Sequence, residues 1–393
     1  MTRHGRLARL GPVKPILSFV GAAVAVVLVS TASVAGIAVW QIGTSFQPGV
    51  NIQTNGEPPP AIGPIDEPVN ILLVGSDSGD GNAAYGARGE TLNDVTILLH
   101  ISPVSHSAIA VSLQRDMYVP INGTACHGNQ GTRKINEALA DGGLACAVST
   151  VESLTGLNIG YAAKIEFDGV IAMSNAVGGV EVCVAVPMHD LQIHFDLEAG
   201  THTLQGWDAL QFLRSRHGVG DGSDTTRVSN QQLFLSALIR KIKAEGTLSN
   251  PLTVYAIARA AAENMQLSTS LNSVDAMTAM ALAVKDIPLA NISFVLYPAG
   301  PTEVDGVSGV KPIVGSAKVL TDAIAADAQI VVTGHPGGGV VGGADVVETP
   351  SPSPTNSPSN PTTPPDTTAV VQLPPSINGQ VATQQTCTDG NTF

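Results

Sequence analysis

The segment "VNILLVGSD", residues 69–77, indicates the fold class because it is a short apolar run that stops at Gly-Ser-Asp. Runs of this length that are rich in Val, Ile and Leu and end in turn residues are typical of buried β-strands. The further strand candidates are "DVTILLHIS", "SAIAVSLQRDMYV", "VEVCVAVPM" and "ISFVLYPAG". Helical patterns lie between them, as in "FDGVIAMSNAVGG" and "GWDALQFLRS". This alternation predicts an α/β fold in which helices sandwich a central mixed sheet.

Acidic side chains stand at two of the predicted strand ends. Asp77 closes the first strand, and Asp94 opens the second. Ligands of open α/β sheets bind beyond the strand ends, which is also where Arg115 falls, after the third strand. Two carboxylates with a phosphate between them are a common way to hold Mg²⁺, so Asp77 and Asp94 are candidate ligands of Mg²⁺ or Mn²⁺. The alternative is that each caps a turn.

Three arginines are concentrated in "QFLRSRHGVGDGSDTTRVSNQQ", residues 211–232. Its second half has helical spacing of apolar residues, with Ser223 or Asp224 as the predicted N-cap. Asp224, Arg227 and Gln231 then form one stripe that faces the interior, at the helix end whose free N–H groups favour anions. Arg214 and Arg216, two residues apart, would share a face if their segment were extended.

These arginines predict a clamp for phosphate or pyrophosphate, because the planar guanidinium fork matches such oxygens. The alternative is a set of ordinary surface ion pairs with Asp208, Asp221 and Asp224, each contributing about 0–1 kcal/mol. The nearby histidines and acids do not fit a standard metal pattern, and an exposed polar hairpin is the favoured interpretation for His189, Asp190, His194, Asp196 and His202.

The N-terminal region predicts a membrane anchor. Residues 1–14 are basic, and residues 15–40 form a charge-free apolar run, longer than the about 20 residues that span a bilayer as a helix. A cleaved signal peptide is the alternative. By the positive-inside rule, residues 1–14 are cytoplasmic and the rest is extracytoplasmic. The formal net charge is −13, and such an acidic chain is not expected to bind nucleic acid.

Composition suggests three further parts. Residues 41–67 are rich in Gly, Pro and Asn and are predicted to be a linker. Residues 68–330 are predicted to form the folded domain, and residues 331–393, rich in Pro, Ser, Thr and Gly, a disordered tail.

Four cysteines in an oxidising compartment allow three pairings. The pair Cys126–Cys146 is favoured because both residues flank one short segment. Cys183 and Cys387 would then connect the tail to the domain, unless they are buried free thiols.

Seven ordered blocks within residues 69–243 resemble the LytR-CpsA-Psr family of envelope phosphotransferases. They are "VNILLVGSDS", "NDVTILLHI", "SLQRDMYV", "KINEALADGG", "LTGLNIGYAAKIEFDGVIAMSNAVGGVEV", "AGTHTLQGWDALQFLRSRH" and "DTTRVSNQQ". The cysteines and the tail piece "INGQVATQQTC" resemble actinobacterial members. The resemblance implies transfer of a glycan from a polyprenyl pyrophosphate to a hydroxyl of peptidoglycan or another wall polymer, with release of polyprenyl phosphate.

The resemblance also implies residue roles. Asp77 and Asp94 match the Mg²⁺ pair, and Asp224 matches an acidic position beside the arginines. The pyrophosphate contacts match Arg115, Arg214, Arg216, Arg227 and Gln231. The residues expected to act in catalysis are Arg115, Arg214, Arg216, Asp224 and Arg227. Asp94 and Asp224 are both candidates for the general base.

The resemblance further implies an apolar tunnel for the lipid, lined by residues 167–177 and 233–242. The sequence departs from many members at two places. Leu92-Asn93 replaces an Arg-Ser pair, for which Arg88 is a candidate substitute, and Asn230 replaces an arginine, which would remove a charge beside the clamp. Two alternative functions use the same pocket: a non-catalytic lipid-binding or sensing module, and a pyrophosphatase with water as the acceptor.

Overall fold

The computed structural model describes residues 13–52, 67–77, 85, 91–128, 131–244, 246–247, 250–342 and 370–391. Within them, the helices are α1 Val13–Ser45, α2 Ala138–Thr155, α3 Phe167–Ala176, α4 Trp207–Arg214, α5 Asp224–Lys243, α6 Pro251–Asn264, α7 Val274–Lys285 and α8 Val314–Ala325. Short 3₁₀ turns span Ile135–Glu137 and Leu289–Asn291.

The strands divide into an N-terminal and a C-terminal group. The first ten are β1 Val69–Ser76, β2 Asn93–Ser102, β3 Ser107–Leu113, β4 Tyr118–Ile121, β5 Gly131–Lys134, β6 Tyr161–Ile165, β7 Val180–Val184, β8 Met188–Asp190, β9 Phe195–Leu197 and β10 Gly200–Leu204. The others are β11 Met265–Leu267, β12 Ile292–Leu296, β13 Ala299–Val304, β14 Val307–Pro312, β15 Gln329–Val331, β16 Val340–Gly342, β17 Val370–Gln372, β18 Gly379–Val381 and β19 Thr386–Thr388.

Helix α1 belongs to a compact unit of its own, Met1–Ser45. Its stretch Leu17–Ser45 contains an 18-residue window with a mean hydropathy of 2.3 and is long enough and apolar enough to cross a membrane. The helix begins two residues before the predicted span and ends five residues after it. Residues 1–12, most of the predicted cytoplasmic segment, lie outside the described residues.

The second unit is built on a seven-stranded sheet in the order β11-β6-β1-β2-β3-β12-β18. Strand β1 pairs antiparallel with β2 and parallel with β6, so the sheet is mixed. Alternate side chains of β1 enter different cores: Leu72 and Val74 join a core with residues of α2 and α8, and Ile71 and Leu73 join one with residues of α5 and α7. The predicted mixed sheet with helices on both faces is therefore confirmed.

A smaller sheet has the order β10-β7-β19-β16. Its strand β7 contributes Val180 and Val182 to a third core, which also contains Phe212 of α4 and Phe234 of α5. This core fixes α4 against α5 and thereby brings together the two helices that carry the arginine-rich segment.

The predicted disordered tail needs correction for residues 331–342 and 370–391. Strand β18 pairs with β12 at the edge of the large sheet, and β19 pairs with β7 and β16 in the smaller one. The disulfide Cys183–Cys387 joins β7 to β19, and Cys126–Cys146 is the other disulfide. These strands have three residues each and are stabilised by distant partners, so composition alone misses them. Residues 343–369 lie outside the described residues.

The linker boundary also moves. Val50 donates its N–H to the carbonyl of Leu267 at 2.8 Å and accepts from the N–H of Thr269 at 2.8 Å. Ile52 is 5% exposed and belongs to the first core. The folded unit therefore begins at Phe46, well before residue 68, because this segment gains backbone partners that its composition does not reveal. Residues 53–66 lie outside the described residues.

Removing the two disulfides separately is expected to give unequal losses of stability. Cys183 and Cys387 are 204 residues apart and Cys126 and Cys146 are 20 apart. The loop-entropy relation then gives losses of about 5 and about 3 kcal/mol for the respective double alanine variants. Denaturant unfolding of the full chain measures both values. Equal losses, or a larger loss for the Cys126/Cys146 variant, would contradict the loop-length argument.

Candidate anion-binding site

The carboxylates of Asp77 and Asp94 lie at the same end of the β1–β2 pair. The register runs regularly to Gly75–Val95, but Ser76 then pairs with Asn93, so Asp94 is left over as a bulge. Asp77 donates its N–H to the carbonyl of Leu92 at 3.3 Å, and its Oδ1 accepts from the Leu92 N–H at 3.3 Å. Bulges redirect side chains and are frequent beside active sites. Here the bulge turns Asp94 toward the arginines.

Two arginines contact Asp94 and Asp224 from different parts of the chain. Arg115, two residues after β3, places Nη1 2.6 Å from Asp94 Oδ1 and Nε 3.7 Å from Asp224 Oδ1. Arg227 of α5 places Nη2 2.5 Å from Asp224 Oδ1 and 3.3 Å from the Asp94 carbonyl oxygen. These four residues, Asp94, Arg115, Asp224 and Arg227, are called the arginine–aspartate cluster below.

The cluster is not a set of surface ion pairs. The side chains of Arg227 and Asp224 are only 6% and 11% exposed. Within the described residues, Nε of Arg115, Nε of Arg227 and Oδ2 of Asp224 are buried and have no hydrogen-bond partner. Buried polar atoms are nearly always satisfied in folded proteins, so these two guanidinium N–H groups without a hydrogen bond mark the cluster as a candidate site. The ion pair of Arg227 with Asp224 that the alternative named is therefore present, but it is buried and is not a surface pair.

The start of α5 explains why Asp224 and Arg227 lie together. Ser223 is the N-cap, and its Oγ accepts from the N–H of Thr226 at 3.3 Å. The helix therefore begins at Asp224 and brings Arg227, one turn later, to the same face. The helix N-terminus adds a partial positive charge that favours an anion here.

Arg216 approaches the cluster through Asp116. Burial alone would raise the pKa of Asp116, but a hydrogen bond from Lys134 and the charges of Arg115, Lys134 and Arg216 lower it below its ordinary value. Lys134 Nζ lies 2.9 Å from Asp116 Oδ1. Arg216 itself donates Nε to the carbonyl of Gly222 at 3.1 Å. Arg115 and Lys134 thus form ion pairs with Asp116, and the charge of Arg216 acts on the same carboxylate.

Arg214 lies in different surroundings from Arg216. It is the last residue of α4, with Ser215 as the C-cap, so it belongs to the helix predicted for "GWDALQFLRS" and shares no extended segment with Arg216. The helix continues because its Gln211 and Phe212 are buried. The Arg214 guanidinium lies 4.6 Å from the ring centroid of Phe167, a cation–π contact, and Nη1 donates to Gln211 Oε1 at 3.0 Å.

An aromatic group stands beside Arg214. The ring of Tyr85 packs edge-on against Phe167 at 5.0 Å and stacks on Trp207 at 5.9 Å. Burial and a hydrogen bond to Asp168 raise the pKa of Tyr85 to about 12, so it remains a neutral donor. Tyr85 and Phe167 are buried, and Trp207 is 44% exposed, so Trp207 is the ring of this group that offers exposed apolar surface near Arg214.

Gln231 and Asn230 serve the backbone of α4. Gln231 donates Nε2 to the Leu213 carbonyl at 3.0 Å. Asn230 is 0% exposed, donates Nδ2 to the Phe212 carbonyl at 3.1 Å and accepts from Thr388 Oγ1 at 2.7 Å. The expectation that Asn230 stands beside the clamp with a charge missing is therefore wrong, because α5 turns this residue toward β19.

The second sequence departure is also structural. Asn93 is 1% exposed, donates Nδ2 to Thr96 Oγ1 at 2.7 Å, and accepts from the N–H of Leu139 at 3.4 Å. Asn93 connects β2 to α2, and its carboxamide is used in these two hydrogen bonds. Arg88, the candidate substitute, lies outside the described residues.

The histidine-containing hairpin behaves as predicted except at one residue. His189 pairs with Asp196, and the side chains of the two residues are 42% and 70% exposed. Asp190, however, is 2% exposed. The interpretation of an exposed hairpin is wrong for this residue, because the turn after α4 folds over its carboxylate.

Sequence reasoning gave no role to Gln114, Asp116 or Lys134. Gln114 donates Nε2 to Thr225 Oγ1 at 3.0 Å and so links the end of β3 to the start of α5. Asp116 adjoins Arg115 in the block "SLQRDMYV", which was the one available signal. Lys134 reaches the site from β5, and its approach depends on the β4–β5 pairing, which local spacing does not reveal.

The fold and the cluster together define an α/β protein with a largely buried arginine–aspartate cluster at the strand ends. The chain belongs to the LytR_cpsA_psr family, whose sequence profile matches residues 45–323. The resemblance given by the seven sequence blocks is confirmed.

Two curated relatives illustrate the similarity. The probable cell wall biosynthesis protein LcpB of Corynebacterium glutamicum is 36% identical over 195 residues, covering 47% of this chain and 45% of that protein. The polyisoprenyl-teichoic acid–peptidoglycan teichoic acid transferase TagU of Enterococcus faecalis is 31% identical over 208 residues, covering 53% of this chain and 64% of that protein. The matched region thus spans about half to two thirds of these relatives.

A solved structure shows the same fold. The crystal structure of a protein from Streptococcus agalactiae superposes with a TM-score of 0.57 at 26% identity, covering 66% of this chain and 86% of that one.

Proposed function

We propose that this chain is a membrane-anchored phosphotransferase that moves a glycopolymer from a polyprenyl-pyrophosphate carrier to a hydroxyl of peptidoglycan. The observation that carries the proposal is the arginine–aspartate cluster, in which Nε of Arg115 and Nε of Arg227 have no hydrogen-bond partner among the described residues. A pyrophosphate supplies the acceptor oxygens that these groups lack. The name of the enterococcal relative describes a transfer of teichoic acid to peptidoglycan.

The proposed reaction is a displacement at phosphorus. The acceptor oxygen attacks the phosphorus on the glycan side, a new P–O bond forms, and the P–O bond to the bridging oxygen breaks. Polyprenyl phosphate leaves with the bonding electron pair, and the hydroxyl proton passes to a carboxylate, for which Asp94 and Asp224 are the candidates. Arg115 and Arg227 then stabilise negative charge on the phosphoryl oxygens, the main contribution that proteins make to this chemistry.

The carboxylates fit the proposed Mg²⁺. Asp77 and Asp94 lie at one sheet end, and the described residues contain no third His, Cys, Asp or Glu arranged with them to hold a metal. Carboxylate oxygens shared with substrate phosphates are the usual ligands of Mg²⁺ or Mn²⁺. Asp77 and Asp94 would hold the ion, which when bound supplies positive charge against the pyrophosphate. Asp94 contacts Arg115, and Asp224 contacts both Arg115 and Arg227, so these two carboxylates orient the arginines.

An apolar surface supports a lipid carrier. Leu73 and Leu99 of the central sheet and Leu235 and Ile239 of α5 are only partly buried, although they border the second core. Leu233 and Phe234, by contrast, are buried in the third core. We therefore place the proposed lipid channel between α5 and the sheet face of β1 and β2. Helix α1 would anchor the chain, with residues 1–14 cytoplasmic and the remainder extracytoplasmic.

The test uses the full chain in detergent or liposomes with Mg²⁺, a polyprenyl-pyrophosphate-linked glycan and peptidoglycan. We expect glycan to become covalently attached to peptidoglycan with release of polyprenyl phosphate. Arg259→Ala is the matched control, because Arg259 is an exposed arginine of α6 paired with Glu263, and it should transfer at the wild-type rate. Release of free glycan phosphate alone would indicate a pyrophosphatase, and retained lipid without either product would indicate a binding module.

A further inference from the structure

The turn between α4 and α5 closes over a single carboxylate. Asp190, the last residue of β8, is 2% exposed. Its Oδ2 accepts from Ser215 Oγ at 2.9 Å and from three successive backbone N–H groups, those of Arg216 at 3.0 Å, His217 at 3.0 Å and Gly218 at 3.3 Å. Four donors therefore converge on one oxygen.

The remaining oxygen is used as well. Oδ1 of Asp190 accepts from the N–H of Gln192 at 3.1 Å. Burial alone would raise the pKa of Asp190, but the hydrogen bonds from Arg216, Ser215, Gly218 and Gln192 lower it below its ordinary value. The carboxylate is thus held in its charged form by the turn that it organises.

The same turn is fixed from its other side by the C-terminal segment. Asn391 donates its N–H to the Gly218 carbonyl at 2.9 Å, and Gly220 donates its N–H to the Asp389 carbonyl at 2.8 Å. A Cβ at Gly218 would lie 2.8 Å from Ser215 Oγ and 3.2 Å from the Cβ of Asp190. The close approach of the turn to Asp190 therefore depends on glycine at position 218.

We propose that Asp190 is the positioning residue of the pyrophosphate site, which fixes the turn Ser215–Gly218 and thereby places Arg216 beside Asp116 and the arginine–aspartate cluster. The inference rests on the proposed function. The Arg216 backbone N–H is held by Asp190, and its guanidinium is held by the Gly222 carbonyl, so both ends of this residue are fixed before a ligand binds. Asp190 does not contact substrate in this proposal; it acts through Arg216.

The cost of losing this arrangement follows from geometry. A misplacement of about 1 Å of a positioning group can cost about 10²-fold in rate. Asp190→Asn keeps the shape of the side chain but removes the charge, and it retains at most one carbonyl oxygen to face the five donors. We therefore expect kcat/KM for transfer to fall by about 10²-fold. Asp196→Asn is the matched control, because Asp196 lies exposed on the neighbouring strand β9.

A double-variant cycle separates positioning from general support of the fold. With Arg216→Ala as the background, Asp190→Asn is expected to lower kcat/KM no further, although it should lower the free energy of unfolding in both backgrounds equally. An equal fall of kcat/KM in both backgrounds, or wild-type activity of Asp190→Asn, would overturn the proposal. If Asp190→Asn does not fold, Ser215→Ala removes one donor only and should show the same coupling to Arg216 with a smaller fall.

Binding of inorganic pyrophosphate keeps the inference distinct from the proposed function. Titration calorimetry with Mg²⁺ present should show weaker binding by Asp190→Asn than by the wild-type chain, and no such difference in the Arg216→Ala background. A wild-type chain that binds pyrophosphate with this pattern but transfers nothing would remove the proposed function and leave the positioning role. If the wild type transfers glycan and Asp190→Asn has no effect, the proposed function stands and the positioning role of Asp190 is overturned.

Discussion

Replacing Arg227 with alanine is expected to lower the rate of glycan transfer by about 10²–10³-fold, the usual cost of losing one preorganised donor to a developing charge. Arg227 is the most buried arginine of the cluster, at 6% exposure of its side chain. It contacts both Asp224 and the Asp94 backbone, so no other arginine can occupy its place. Arg227→Lys should also lose most of the activity, because an ammonium cannot reproduce the fork of donors.

Stability must be separated from catalysis in this variant. Arg227→Ala leaves the largely buried Asp224 without its closest partner, and breaking a buried pair in this way costs about 3–5 kcal/mol. The double variant Arg227→Met with Asp224→Asn removes both charges and should recover most of the free energy of unfolding. Its transfer rate should remain at the low level. Recovery of transfer together with stability would contradict a direct role for Arg227 at the pyrophosphate.

The central sheet could be predicted because β1, β2 and β3 are apolar runs of seven to ten residues. Runs of this length carry their own signal, and turn residues mark their ends. Strands β18 and β19 have only three residues each and are paired with β12 and β7 far away in sequence. Their stability comes from those partners and from the disulfide to Cys183, so they were assigned to a disordered tail.

The site shows the same division. The stripe of Asp224, Arg227 and Gln231 follows from helical spacing alone, and the cap at Ser223 from residue type. The neighbours of Arg214 and Arg216 depend on where α4 ends, and that end is set by burial of Phe212 in the third core and by the carboxylate of Asp190. Neither is visible in the local sequence.

Asn230 shows the consequence of this dependence most sharply. Helical spacing places it next to Gln231 and one turn after Arg227, where a positive charge would seem useful to the clamp. The structure turns it instead into a fully buried position between the Phe212 carbonyl and the Thr388 hydroxyl. Its carboxamide supplies one donor and one acceptor, which is what these two groups require.

Asn230→Arg is therefore expected to destabilise the protein strongly and not to improve pyrophosphate binding. A guanidinium at a 0% exposed position would be buried without a charged partner, and such burial costs several kcal/mol. The larger side chain would also displace β19, which is paired with β7 beside this position. We expect a large fall in the free energy of unfolding, measured by denaturant unfolding, and loss of transfer with it.

Smaller substitutions test the reason for this loss. Asn230→Ala leaves the Phe212 carbonyl and the Thr388 hydroxyl without their partner, at a cost of about 1–3 kcal/mol for each buried group. Thr388→Val should cost less by itself and should be nearly free in the Asn230→Ala background, because the hydrogen bond between the two side chains is already lost. Additive losses would contradict the link from α5 to β19. A stable Asn230→Arg variant that binds pyrophosphate more tightly would contradict this prediction. It would indicate that residue 230 faces the pyrophosphate site and does not connect α5 to β19.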